Sequence, residues 1–131
     1  MKEVRESLII NPQAIDDIAE KITEYLASDK TGNKRSLRLR LCVEEALNVI
    51  YEHYNVEIRA DIVFTVKFGM PVVTITFKGK KFNPMETTEI EEASLMILEN
   101  LGVKYTYSYR SDTNKLTFYS THLIPLKRKR L

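Results

Sequence analysis

Apolar and polar residues change their spacing several times along the chain, and each change marks an element. Residues 3–10 read as a first strand. Asn11-Pro12 then has the form of a helix start: an N-cap side chain that can accept an orphan N–H, followed by a proline already at helical φ. Ile15, Ile18, Ile22, Tyr25 and Leu26 recur at helical steps, which predicts a helix to about Ser28. A polar connection containing Gly32 covers 29–33. Leu39, Val43, Ala46, Leu47, Ile50 and Tyr54 then repeat at steps of three and four. They predict a second helix with Ser36 as N-cap and an end near Tyr54 and Asn55.

The period next drops to two. Ile58, Ala60, Ile62, Phe64, Val66 and Phe68 alternate with other residues, as in a half-buried strand. Gly69-Met70-Pro71 reads as a short turn, and Val73, Ile75 and Phe77 as the returning strand of a hairpin. Residues 78–84 form a loop. A third helix is expected over 88–100, with Ile90, Ala93, Ile97, Leu98 and Leu101 inward and Gly102 as C-cap. Two further strands, 103–109 and 115–122, flank a turn at Ser111-Asp112-Thr113-Asn114. The order β-α-α-β-β-α-β-β predicts a two-layer α/β (α+β) sandwich, a mixed sheet with all three helices on one face. The expected division is one domain, residues 1–123, and a basic tail, 124–131.

Composition adds constraints. A chain of 131 residues with 44% apolar and 29% charged residues suits one globular core. The single cysteine, Cys42, excludes an internal disulfide and fits a reducing, cytoplasmic compartment. It reads as a small apolar residue on a helix, since a nucleophilic thiol needs a nearby base and the histidines are only His53 and His122. Residues 1–7 are charged with no apolar segment behind them, so no signal peptide is expected. No window approaches the roughly 20 apolar residues that span a bilayer. Lys127, Arg128, Lys129 and Arg130 contribute +4 to a net charge of +2, so the rest of the chain sums to −2. The body is therefore not expected to bind polyanions.

The segment from Arg40 to His53 resembles the N-box helix of the Bergerat-fold ATPases, the superfamily of histidine kinases, gyrase and anti-sigma-factor serine kinases. The element order is most similar to the anti-sigma type and covers nearly the whole chain. In that family a Glu activates the nucleophile, an Asn four residues on holds Mg²⁺, and a His often follows four residues later. The matching positions are Glu45, Val49 and His53, on one helix face. Val49 cannot ligate Mg²⁺, which takes oxygen ligands. Asn48 lies about 100° away around the helix. The family's Asp-x-Gly-x-Gly, which reads adenine, is matched by Phe77-Lys78-Gly79-Lys80-Lys81, with Phe77 for the Asp and Lys81 for the second Gly. Phe82-Asn83-Pro84 resembles the family's Phe-Asp-Pro and supports that register. The Gly-rich lid is missing, because no glycine lies between Gly79 and Gly102. Glu86, Glu89, Glu91 and Glu92 stand there instead. The resemblance thus implies an ATPase-like module without cofactor or metal, in which Glu45 is vestigial and Val49, His53, Phe77 and Gly79 are degenerate nucleotide positions.

A narrower resemblance is to a soluble N-terminal domain that precedes sodium:dicarboxylate symporter-family transporters of gut Firmicutes. The phrases that carry it are Leu37-Arg38-Leu39-Arg40-Leu41 with Glu44-Glu45, Phe82-Asn83-Pro84, Asn100-Leu101-Gly102, and Tyr107-Ser108-Tyr109-Arg110 with Asn114 beyond. It implies a non-catalytic regulatory or accessory domain at the cytoplasmic face of the cell membrane, with a transporter segment in cis or a protein as partner. The basic run 127–130 would then mark the junction to a membrane helix.

Two other functions are open to the same residues. One is an ATP-dependent anti-sigma-type serine kinase with Glu45 as base. The other is a soluble partner-switching module that binds protein through its uncovered sheet face or the edge of its first strand, for which an exposed apolar patch is expected. Glu44 and Glu45 read more readily as solvated acids or as partners of Arg38 or Arg40 than as a catalytic pair. His53 fits a helix C-terminus, where a cation is favoured. Tyr105, Tyr107 and Tyr109 share a strand face that could stack bases, but alternating tyrosines also suit a face packed on helices, and the acidic body favours the latter. No nucleic-acid partner is expected. The tail could meet an anionic membrane surface.

Overall fold

In a computed structural model of the chain, the described residues are 3–27, 33–54, 56–67, 70–86 and 102–120. The elements are β1 (Val4–Ile9), α1 (Pro12–Ala27), α2 (Asn33–Tyr54), β2 (Arg59–Lys67), β3 (Met70–Lys78), a 3₁₀ turn (Pro84–Glu86), β4 (Val103–Arg110) and β5 (Thr113–Ser120). The expected third helix at 88–100 and the tail at 124–131 lie outside the described residues.

The architecture is α+β, with five strands in the order β1-β2-β3-β5-β4. Every neighbouring pair is antiparallel, which corrects the expected mixed sheet. Two physical reasons account for this. The two helices between β1 and β2 carry the chain away and back to the end at which β1 finished, so that Arg59 starts β2 opposite Ile9 and the strand runs the other way. The β4–β5 hairpin then folds back so that β5 lies between β3 and β4, and those two strands never touch as a parallel pair.

Asn11 caps α1 as expected, its Oδ1 accepting the Ala14 N–H at 2.8 Å. α2 begins at Asn33, so Ser36 lies inside the helix and is not its N-cap. The first turn, Asn-Lys-Arg-Ser, carries no apolar residue, and a reading based on apolar spacing detects such a turn late. Met70 and Pro71 belong to β3 and not to a turn, since the ladder runs on to Val66 opposite Pro71 and Lys67 opposite Met70. Proline is tolerated there because it stands at the beginning of its strand. The β4–β5 turn is shorter than expected. Ser111 and Asp112 form it with φ of 51° and 59°, while Thr113 and Asn114 are already paired in β5. Two consecutive left-handed residues give the twist that a two-residue hairpin needs.

Strand alternation divides the sheet into two faces. Ile62, Ile75, Leu116 and Tyr107 form one cross-strand row, and Phe64, Val73, Phe118 and Tyr105 the next. This face packs with Ile15, Ile18 and Ile22 of α1 and with Val43, Leu47 and Ile50 of α2 in a single core. Both described helices therefore cover the same side. The opposite face carries Val63, Thr74, Thr117 and Thr106 in one row, Asp61, Thr76, Lys115 and Ser108 in another, and Thr65, Val72, Tyr119 and Lys104 in a third. Among the described residues no helix covers it. None is long and apolar enough to cross a membrane either.

Candidate functional site

Helical spacing does place Glu45, Val49 and His53 along one stripe of α2, but their surroundings differ. Glu45 is exposed and Val49 half-buried against the core. His53 is exposed and stacks flat on Phe82, with ring centroids 3.7 Å apart and planes 4° from parallel. Tyr54 meets both rings edge-on, at 4.8 Å from His53 and 5.9 Å from Phe82. Glu44 pairs with Arg40 at 3.3 Å across one helical turn, as expected for a solvated acid.

Phe77 is buried in the core, only 2% exposed. Its strand row runs through Ala60, Phe77, Asn114 and Tyr109. An apolar ring therefore stands at the position matched to the adenine-reading carboxylate, and it faces the helices. Met85 is buried beside it in the same core.

The loop after β3 is fastened from several directions. Gly79 has φ of 149°, a conformation that side-chain-bearing residues rarely adopt, and a Cβ there would meet Tyr54 Oη at 3.2 Å. Gly79 N–H donates to the Asp112 carbonyl at 2.9 Å. Tyr109 Oη can donate to the Gly79 carbonyl at 3.1 Å or to Asp112 Oδ1 at 3.2 Å. Tyr54 Oη donates to the Lys80 carbonyl at 3.0 Å. The Asn83 side chain then sets the 3₁₀ turn. Its Oδ1 accepts the Met85 N–H at 3.0 Å, and its Nδ2 donates to Glu86 Oε1 at 2.9 Å.

Asn114 is the centre of this arrangement and is fully buried. Its Oδ1 accepts from the Phe82 N–H at 2.9 Å and from Tyr107 Oη. Its Nδ2 donates to the carbonyls of Lys80 at 3.1 Å and Phe77 at 3.5 Å. A primary amide offers two donors and two acceptor sites, and all four are used here. Pattern reading had placed Asn114 in a turn and gave it no role. The available signal was the alternation Leu116, Phe118, which extends one step back to an inward residue 114.

The ionisable groups favour inert donors over reactive ones. Burial pushes the Cys42 thiol up to about 12, and the neighbouring Glu45 charge adds to the effect. The thiol stays protonated near neutrality and is no nucleophile. Burial likewise raises the phenols of Tyr54, Tyr107 and Tyr109, with the Asp112 carboxylate adding to the last. They remain hydrogen-bond donors well into the alkaline range. Among the described residues no cluster of His, Cys, Asp and Glu could hold a metal ion.

Compared with models of protein families and with curated proteins, the chain matches none.

Proposed function

We propose that this chain is a non-catalytic regulatory or accessory domain of Bergerat ATPase-like fold, whose nucleotide region has become a self-contained structural clamp. One observation carries the reading. Phe77 lies in the core, and the loop that follows it has its backbone carbonyls and amides engaged by Asn114, Tyr54 and Tyr109. A loop that is to receive a base and phosphates must leave backbone groups free to face them. This one spends them on its own side chains. Val49, an apolar side chain in place of a magnesium ligand, supports the same conclusion.

On this reading Glu45 has no nucleophile to activate, and the domain acts by contact. Its partner is a membrane transporter of the dicarboxylate symporter type, linked in cis at the cytoplasmic face. The support for that partner is sequence resemblance and the basic run at Lys127, Arg128, Lys129 and Arg130. The partner-switching alternative called for an exposed apolar patch. Among the described residues the large exposed hydrophobics are Leu41 on α2 and Val56 before β2, neither of them on the open sheet face.

Calorimetric titration with ATP and Mg²⁺ tests the non-catalytic reading, and no saturable heat is expected. Micromolar binding, with turnover abolished by Glu45→Ala, would replace it with the serine-kinase reading. Sequencing the natural gene beyond Leu131 tests the partner, with about 20 apolar residues expected to follow.

A further inference from the structure

The body of the chain sums to −2 outside its basic run, yet the fold does not spread that charge evenly. Strand alternation places Lys104 and Arg110 of β4, Lys115 of β5 and Lys78 of β3 on the open face of the sheet, all exposed. Arg59 and Lys67 of β2 and Arg5 of β1 join them there. Against these seven basic residues the strands offer this face a single carboxylate, Asp61. Glu3 and Glu57 border the β1–β2 side, and Glu3 pairs with Arg5 at 2.9 Å. The uncompensated charge therefore lies towards β3, β5 and β4. Among the described residues Lys78, Lys104, Arg110 and Lys115 take part in no ion pair.

Across the core the opposite sign gathers on α1, while α2 mixes its acids with Lys34, Arg35, Arg38 and Arg40. Asp16, Asp17, Glu20 and Glu24 are exposed on α1, and Glu45 and Glu52 on α2. Among the described residues the exposed acids of α1 and the cations of the open face thus lie on opposite sides of the core, and a charged plane would orient them.

We propose that the open sheet face is a docking surface for an anionic phospholipid bilayer. This choice of occupant rests on the reading of a membrane-adjacent domain, and the chemistry of the face supports it. The cations form a rim spread over all five strands, about 19 Å across, and not a line or groove. The residues between them are mostly short, the hydroxyl side chains Thr74, Thr76, Thr106 and Thr117 with Val63 and Val72, which leave the cations standing proud. A single-strand nucleic-acid site needs rings for bases to stack on. Tyr105, Tyr107 and Tyr109 point to the helix side, and Tyr119 is the one aromatic residue that the described strands present to the open face. A sheet of lipid headgroups asks only for spread positive charge, and it repels the acidic α1 to the far side.

The test uses the full chain with Lys127, Arg128, Lys129 and Arg130 all changed to Ser, so that binding reports on the sheet. This protein is expected to sediment with vesicles of mixed phosphatidylserine and phosphatidylcholine, not with phosphatidylcholine alone, and to be released by 1 M salt. Adding K104E, R110E and K115E should lower partitioning by at least about tenfold. The helix-layer change D16N/D17N/E20Q should not weaken it. Circular dichroism checks each fold, and K104Q/K115Q serves if the triple reversal does not fold. No sedimentation, equal loss from the helix-layer change, or tighter binding to duplex RNA than to vesicles at the same salt would each overturn the proposal. Failure here without ATP binding sinks only the docking face. ATP binding with vesicle binding retained sinks only the non-catalytic reading.

Discussion

The two faces of the sheet are made by the same five strands from alternate residues, and they meet different demands. The covered face must fill the space beneath two helices, so it is built from Phe64, Val73, Ile75, Leu116 and Phe118 and tolerates little change of shape. The open face is held to no shape by the described residues. Its threonines and basic residues are constrained by solubility and by whatever approaches from outside. The difference shows that one strand can meet two sets of constraints, one from packing and one from the surface, separated by a single residue step.

Truncation on the covered face breaks the comparison most sharply. Phe118→Ala should destabilise the domain by about 3–5 kcal/mol in denaturant unfolding, because its buried ring leaves a cavity. Its neighbour on the other face, Thr117→Ala, should cost about 1 kcal/mol at most, for the strand propensity and the hydroxyl contact with Thr74. Equal losses from the two would mean that another layer covers the open face.

The clamp comes next. Asn114→Ala should cost about 1–3 kcal/mol, since it strands the Phe82 N–H, the Lys80 carbonyl and the Tyr107 hydroxyl without partners. Hydrogen exchange should show faster loss of protection at Phe82 and Met85 than in α1. Unchanged exchange in that loop would remove Asn114 from its central place.

Two smaller effects follow from titration. Tyr54, Tyr107 and Tyr109 have folded pKa values above the ordinary 10.0. Above pH 10 the unfolded chain loses these protons first, so it binds fewer protons than the folded state, and stability falls as pH rises. Below pH 10 the contribution is complete. Urea midpoints measured on either side of that value should drop on the alkaline side, and Tyr54→Phe should flatten the drop. Cys42 should resist disulfide reagents at neutral pH in the native state and react once the chain is unfolded. Prompt native reactivity would contradict its burial.

Much of the covered face was legible in the chain, because burial imposes the period-two alternation at Ala60, Ile62, Phe64 and at Val73, Ile75, Phe77. The positions of α1 and α2 were legible for the same reason, at period 3.6. Asn114 was hidden because a buried amide looks like a turn residue until its backbone partners at Phe82 and Lys80, 30 or more positions earlier in the chain, come into place. The placement of β5 between β3 and β4 was hidden because pairing is decided by long-range packing and not by local pattern. The basic open face was hidden by summation. A net charge adds Asp16 and Lys115 together, whereas the fold sets them on opposite sides of the core.

β4 ends the sheet, and among the described residues nothing pairs with its outer edge. Such an edge invites self-association, since a second copy could lay the same strand against it. In an antiparallel pairing centred on Tyr107, Lys104 of one molecule would fall opposite Arg110 of the other, at both ends of the ladder. Like charges set directly across from each other oppose that register. The residues that make the open face cationic therefore also keep neighbouring copies from zipping edge to edge.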